Sequence, residues 1–185
     1  MNSWIEIGYL KLASKKIVAA SGVIFILSQV AIGYLLHHVG PADALRLQLT
    51  FSSQAFSEIL TKWGDTGVAA YITHFYLDYF HALIYAVFLS SAVAFLTHRP
   101  DRKPGSISLG VFILPWIAAI CDMAENTIHL YLIRHPNTIE GKLVIFSGIC
   151  TWTKWSLAAI SVVVILSMLF RKGWSHEIGV IQDSR

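Results

Sequence analysis

Residues 117–133, Ile-Ala-Ala-Ile-Cys-Asp-Met-Ala-Glu-Asn-Thr-Ile-His-Leu-Tyr-Leu-Ile, decide the fold because they place costly polar side chains inside an apolar run. The run is long enough to cross a bilayer as a helix. It carries Asp122, Glu125, Asn126 and His129, whose spacing of i, i+3, i+4 and i+7 puts them on one helical face. An ionised carboxylate at the centre of a bilayer costs about 2.5–3.5 kcal/mol even on the lenient insertion scale. This face must therefore turn away from lipid, toward partner helices or water.

The composition is typical of a membrane protein. Of the 185 residues, 55% are hydrophobic and only 14% are charged, with a mean hydropathy of +0.60. We therefore predict an all-α polytopic membrane protein, a bundle of four transmembrane helices in a single domain over residues 1–185. The predicted spans are about 16–36, 67–97, 107–134 and 142–170. The first is too long for the apolar region of a secretory signal, so we expect it to be retained.

Basic residues concentrate on one side of the predicted membrane. They precede the first span, follow the second and follow the fourth: Lys11, Lys15, Lys16, Arg99, Arg102, Lys103, Arg171 and Lys172. The connections 37–66 and 135–142 carry few basic residues for their length. By the positive-inside rule, both termini and the 98–106 loop are predicted to be cytoplasmic, in a bacterial inner (plasma) membrane. Residues 2–14 mix aromatic, apolar and charged side chains, which predicts a short interfacial segment on that surface.

The segment 41–66 is less apolar than the predicted spans and shows a rough amphipathic pattern. Pro41, Ala42 and Asp43 resemble a helix start, and large apolar residues recur at roughly helical spacing after them. We predict an amphipathic helix on the outer surface between the first two spans, where it could act as a lid. A plain linker that rests its apolar side on lipid fits the same pattern equally well.

Two further spans carry polar stripes. In the second span, polar residues recur at i, i+4, i+7 and i+11 and so share one helical face: His74, Asp78, His81 and Tyr85. The fourth span carries Thr151 and Lys154 on one face. With a rise of about 1.5 Å per residue, Asp78, Glu125 and Lys154 fall in one slab between the outer surface and the midplane. The sequence therefore predicts a single polar cavity that opens to the outside.

This mixture of carboxylates, histidines, an amide and an amine suits general acid–base chemistry. Burial disfavours the charged form of each group, whereas pairing of opposite charges favours it, so neighbouring groups can differ in proton affinity. We expect Lys154 to pair with one carboxylate, which leaves Asp78 or Glu125 to exchange a proton with a histidine. The alternative is a structural network that only holds the helices in register. Charged groups inside a bilayer are functional candidates by default, which favours chemistry.

Asp78 and Glu125 are the predicted acid and base, and His74, His81 and Lys154 complete the catalytic set. The predicted substrate-binding residues are other polar groups together with three tryptophans that shape a pocket or stabilise a cation: Asn126, Asp122, His129, Tyr85, Thr151, Trp116, Trp152 and Trp155. No metal or cofactor is expected. A metal ion or haem held through His74, His81 and His129 is the alternative, disfavoured because Lys154 lies at similar depth. The two cysteines have no metal-type spacing and are predicted to be buried thiols.

Two resemblances to known families rest on these motifs. A group of bacterial four-span membrane proteins without a known activity resembles this chain in Trp63-Gly64, Leu77-Asp78-Tyr79-Phe80, Tyr85, Asp122-Met-Ala-Glu125-Asn126 and Lys154-Trp155. In addition, His74 followed by Asp78, with Glu125 on the next span, is similar to the sterol isomerases of the emopamil-binding family. That resemblance implies a membrane-embedded acid–base set that moves a double bond through a carbocation. The family has five spans and a glutamate where Asp78 stands, and Lys154 has no counterpart in it.

The sequence thus predicts a membrane-embedded enzyme that uses a buried acid–base cluster on a lipid or isoprenoid, as an isomerase, cyclase or hydrolase. Its partners would be membrane lipid and a small apolar substrate, in a homo-oligomer or a larger membrane complex, and nothing points to nucleic acid. A second hypothesis is a non-enzymatic subunit of a membrane complex that binds a pigment, quinone, haem or partner helix. A third is a small proton-coupled carrier, although four spans without an internal repeat disfavour transport.

Overall fold

The computed structural model describes residues 4–136 and 139–183, with side chains described as far as Arg171. The described residues form helices and the connections between them, and no strand occurs among them. The helices are α1 (Trp4–Leu12), α2 (Lys15–Leu36), α3 (Pro41–Leu49), α4 (Ser53–Thr97), α5 (Ser106–Arg134) and α6 (Gly141–Asp183). Residues 2–3 of the predicted interfacial segment and residues 137–138 of the connection 135–142 lie outside the described residues.

Four of these helices are long and apolar enough to cross a membrane, which confirms the predicted number of spans. They are α2, α4, α5 and the part of α6 that ends at Arg171. The bounds of α2 and α5 agree with the predicted spans to within one residue. Helix α4 begins earlier than predicted, at Ser53, because helical structure resumes directly after a break at Gly64. Gly64 has φ 60° and ψ −173°, a conformation that only glycine adopts without strain, so its role is to redirect the chain between the two parts of α4.

Helix α4 is the centre of the packing. It contacts α1, α2, α3, α5 and α6, and α5 in turn packs along α6. Against α2, the Ser21 and Ser91 hydroxyls lie 3.5 Å apart, and Gly22 leaves room for the ring of Phe88. Helices α2 and α6 make at most marginal contact with each other. They therefore flank α4 with a cleft between them.

The short helix α1 packs against one end of this arrangement, which we call the α1 end. Tyr9 is completely buried there, with its ring edge-on to Phe112 and its hydroxyl 2.7 Å from that of Thr97. Helix α3 and the start of α4 lie at the opposite end, which we call the α3 end. Both termini of the connection 98–105 lie at the α1 end, because α4 and α5 run in opposite directions.

The segment 41–66 differs from the single surface helix that its pattern predicts. It forms two helical pieces, α3 and the first part of α4, joined by extended residues at Thr50 and Ser52. Their apolar sides are buried against the spans rather than spread on lipid. Leu47, Phe56 and Ile59 belong to one core cluster with residues of α4, α5 and α6. The two pieces therefore cover the α3 end.

We expect Gly148→Ala to destabilise this cover. A Cβ at position 148 would lie 2.8 Å from the Phe51 ring and 2.9 Å from the Thr50 carbonyl oxygen, and the backbone atom cannot move away without shifting α3. Overpacking of this kind costs about 1–3 kcal/mol, measurable as a lower midpoint of unfolding in detergent. Gly110→Ala is the matched control, because a Cβ there meets nothing within 4 Å. Equal midpoints for the two variants would contradict the close approach of Phe51 to α6.

Candidate functional site

A buried ion cluster joins α5 to α6. The Lys154 ammonium donates a hydrogen bond to Asp122 Oδ1 at 2.6 Å and lies 2.8 Å from Glu125 Oε2. All three side chains are buried, with at most 9% of any of them exposed. Asp122 and Glu125 are one helical turn apart, so a single cation reaches both. The predicted pairing of Lys154 therefore involves two carboxylates rather than one.

Asp78 on α4 reaches the same region from the other side. Asn126 Nδ2, on α5 next to Glu125, donates a hydrogen bond to Asp78 Oδ2 at 2.9 Å. Asp78 is 7% exposed, and its second oxygen, Oδ1, is not engaged by this bond. Neither Asn126 Oδ1 nor Glu125 Oε1 has a hydrogen-bond partner among the described residues. The polar cluster thus contains buried oxygen atoms that accept no hydrogen bond from the described residues.

Two histidines of α4 have their ring orientation fixed through Nδ1. The Ser28 hydroxyl donates its proton to the Phe25 carbonyl oxygen at 2.9 Å, so His81 Nδ1–H must donate to Ser28 Oγ, 2.8 Å away. His74 Nδ1–H donates to the carbonyl oxygen of Tyr71 in the same way. In the neutral ring, Nε2 is then a proton acceptor. Each histidine therefore presents Nε2 as its basic atom.

His129 lies in a separate buried network. The Ser147 hydroxyl donates to the Val144 carbonyl oxygen, so His129 Nε2–H donates to Ser147 Oγ at 3.2 Å. The Tyr71 hydroxyl, 3.2 Å from His129 Nδ1, then donates to that nitrogen. Both ring nitrogens are used, and His129 is completely buried. His129 therefore holds α4, α5 and α6 together at this level.

A cavity of about 490 Å³ lies over the polar cluster. Its volume is in the range of about 300–1,000 Å³ typical of ligand sites. Its polar floor is formed by residues of α4, α5 and α6: His74, Asp78, His81, Tyr85, Asp122 and Lys154. Apolar side chains of α2, α3, α4 and α6 form the walls, among them Phe25, Ile32, Ala44, Phe88 and Ala158. The cavity is an apolar chamber with one charged and basic wall.

The cavity has a sideways opening between α2 and α6. At the α3 end, Ala44 and Gln48 of α3 line the cavity and are buried, whereas Pro41 and Leu45 line it and are exposed. Gln29 of α2 and Trp155 and Val162 of α6 line it and are exposed, on the two helices that hardly touch. In a bilayer this opening faces the hydrocarbon region. The cavity can therefore be entered laterally, and the outward opening that the depth of the polar residues predicts stays a prediction.

The structure divides the predicted site residues into three groups. Seven line the cavity: His74, Asp78, His81, Tyr85, Asp122, Lys154 and Trp155. Four are buried behind its floor: Glu125, Asn126, His129 and Thr151. The remaining two tryptophans are elsewhere, since Trp116 packs beside the apolar cluster around Ala82 and Ala118, and Trp152 is 53% exposed. The sequence analysis did not identify three further lining residues, Gln48, Phe25 and Phe88. Of these, only Gln48 could have been found from the sequence, because it lies one helical turn after Ala44 in the segment predicted to be amphipathic.

The described residues contain no group of three or more histidine, cysteine or acidic side chains placed to hold a metal ion. A haem held between His129 and either cavity histidine would require His129 to break one of its two bonds to Tyr71 and Ser147. Cys150 is buried, and Cys121 is partly exposed.

No protein-family model, curated protein or solved structure matches this chain. The two family resemblances therefore stay predictions. The site must be interpreted from its own geometry.

Proposed function

We propose that the protein is a membrane-embedded enzyme that transfers protons to and from a lipid or isoprenoid substrate. The observation that carries the proposal is the position of Asp78, His74 and His81 on the floor of a cavity that opens between α2 and α6. An apolar molecule can enter it from the bilayer without crossing water. A carboxyl group beside two imidazoles supplies a proton donor and two acceptors within one pocket.

The geometry supports a division of roles. Asn126 holds Oδ2 of Asp78, which leaves Oδ1 to donate a proton to a double bond or leaving group of the substrate. Nε2 of His81 or His74 would remove a proton from a neighbouring carbon, so that an isomerisation or cyclisation leaves the number of protons on the substrate unchanged. Return of that proton from the imidazolium to the Asp78 carboxylate would complete the cycle. Lys154 and Asp122 form an ion pair in the floor and so place one positive and one negative charge beside the reacting groups. Glu125, the other predicted acid–base group, acts here through Lys154, because it does not line the cavity.

Asp78→Asn tests the proposal. The amide keeps the shape of the side chain but has no acidic proton, so turnover should fall by a factor of about 10²–10⁴, the usual contribution of a general acid. The measurement is mass spectrometry of isomeric products after wild type and variant, in nanodiscs, are incubated with lipid and isoprenoid extracts. Asp65→Asn is the control, because Asp65 is an exposed carboxylate outside the cavity. Absence of conversion by wild type, or full activity of folded Asp78→Asn, would refute an acid–base role.

The aromatic wall of the cavity favours one non-enzymatic alternative, a subunit that binds a quinone or pigment. The Phe25 ring stacks on His81 at a centroid distance of 5.3 Å and on Phe88 at 5.4 Å, a surface suited to a planar ligand. The absorbance spectrum of the purified protein distinguishes the two functions. A stoichiometric chromophore that leaves the protein unchanged chemically would favour the binding subunit.

We also infer that the α1 end faces the cytoplasm of a bacterial inner membrane. Eight lysine and arginine residues lie toward that end, in α1, the start of α2, the 98–105 loop and the end of the α6 span, against four toward the α3 end: Arg46, Lys62, Arg134 and Lys142. Single cysteines at exposed Asp101 and Asp65 test this with a membrane-impermeant maleimide. In intact spheroplasts, Asp65→Cys should be labelled and Asp101→Cys should not, with wild type as the background control. The reverse pattern would invert the topology.

A further inference from the structure

A second cavity, of about 340 Å³, lies at the α1 end, where α4 ends and α5 begins. Four residues with basic side chains from the connecting loop line it: His98, Arg99, Arg102 and Lys103. Gly105 and Ser108, at the start of α5, line it as well. Tyr9 of α1 and Thr97 close its base, joined to each other by a hydrogen bond. It shares no lining residue with the first cavity.

The charge of this second cavity is positive. Three guanidinium or ammonium groups line it, and the one acidic residue of the same loop is Asp101. Asp101 contacts Arg102 at 3.5 Å with both side chains more than 70% exposed. Exposed pairs of this kind contribute little and are readily exchanged. The cationic groups therefore remain available to an anion.

The first turn of α5 adds partial positive charge at the same place. Its N-cap, Gly105, has no side chain to accept a backbone hydrogen bond, and its first turn contains no acidic residue. The N–H groups of a helix start need acceptors and favour negative charge. Gly105 and Ser108 place this helix start in the cavity wall.

His98 provides an independent sign of a missing partner. Its Nδ1 atom is buried and has no hydrogen-bond partner among the described residues. His98 as a whole is partly exposed, lines the cavity, and has its ring edge-on to that of Tyr9 at a centroid distance of 6.4 Å. A buried polar atom without a partner inside the protein is accounted for when a ligand supplies one.

We propose that this cavity binds a phosphate group, that of an anionic phospholipid or free phosphate. Arginine forks match phosphate oxygens in pairs, and a helix start donates to the same oxygens. The cavity lies where two spans leave the membrane, at the depth of lipid headgroups, where basic pockets bind anionic lipids. The proposal is independent of the chemistry in the first cavity.

Native mass spectrometry of the full-length protein tests the proposal with three probes: phosphatidylglycerol, phosphatidylcholine and inorganic phosphate. The test variant is Arg99→Gln/Arg102→Gln/Lys103→Gln. The control, Lys11→Gln/Lys15→Gln/Lys16→Gln, removes the same charge from exposed lysines at the same end that do not line the cavity. We expect wild type and control to bind phosphatidylglycerol at least tenfold more tightly than phosphatidylcholine, and the test variant to lose this preference.

A single substitution keeps the surface charge and tests the buried nitrogen. His98→Phe retains a ring against Tyr9 but removes Nδ1, and should weaken anion binding by a factor of about 10, as expected for one hydrogen bond to a charged group. Tight binding of inorganic phosphate that displaces phosphatidylglycerol would identify free phosphate as the ligand, whereas binding of the lipid alone would identify the headgroup. Equal loss in both triple variants, or no preference of wild type for either anion, would overturn the proposal.

Discussion

Lys154→Met should unfold most of the protein under conditions where the wild type is stable. The substitution preserves much of the side-chain volume but leaves Asp122 and Glu125 buried next to each other without the cation that now lies 2.6 and 2.8 Å from them. Removing one partner of a buried ion cluster costs about 3–5 kcal/mol, because the remaining charge is neither solvated nor paired. The measurement is unfolding of the purified protein in mixed micelles by titration with denaturing detergent.

Two further variants make this result specific to the buried cluster. Lys62→Met is the matched control, because Lys62 pairs with Asp43 at 2.5 Å while 66% exposed, and exposed pairs contribute about 1 kcal/mol or less. The triple variant Lys154→Met/Asp122→Asn/Glu125→Gln removes both unpaired charges and should recover much of the lost stability. If Lys154→Met is no less stable than Lys62→Met, the cluster does not hold α5 to α6.

Ala158→Trp should empty the first cavity of any ligand that co-purifies with the wild type. Ala158 lies in the cavity wall on α6, and an indole at this position would occupy the space over the floor. Bound lipid or isoprenoid, quantified by mass spectrometry after purification, should fall at least tenfold. The protein should remain folded, because the new ring fills a cavity instead of displacing packed side chains.

The neighbouring position supplies the control for this experiment. Ala159 is exposed on α6 and does not line the cavity, so Ala159→Trp adds the same indole to the lipid-facing surface. Its ligand content should match that of the wild type. Equal ligand content in both variants would show that the ligand binds elsewhere, and the first cavity would lose its proposed role.

The spans and the polar floor could be predicted from sequence because few arrangements of charged residues are compatible with a bilayer. Charged groups such as Asp122 and Lys154 must avoid lipid, so the helical faces that carry them must meet. Once Asp78, Glu125 and Lys154 are predicted to share a depth, their proximity can be expected without knowledge of the detailed packing. The structure brings Asp78 and Lys154 together at the floor of one cavity, with Glu125 behind the floor and 2.8 Å from Lys154.

What sequence could not supply is the rotation and neighbourhood of each helix. Asp122 and Glu125 are three residues apart and so differ by about 60° around the helix axis, yet Asp122 lines the cavity and Glu125 lies behind it. A pattern of residues identifies a face but not the part of it that borders a hollow. The division of 41–66 into two pieces depends on the extended backbone at Thr50 and Ser52, and the lateral opening depends on the marginal contact between α2 and α6.

The gap between α2 and α6 also bears on how selective the protein is for ligand length. An enclosed pocket is selective for the length of its ligand, because every methylene group must fit inside. For a substrate of the proposed enzyme, only the reactive end and the adjoining portion would need to enter, while the remainder would extend among the surrounding acyl chains. A homologous series that shares one terminal group would therefore be accepted with nearly uniform affinity, and discrimination would rest on that terminal group alone.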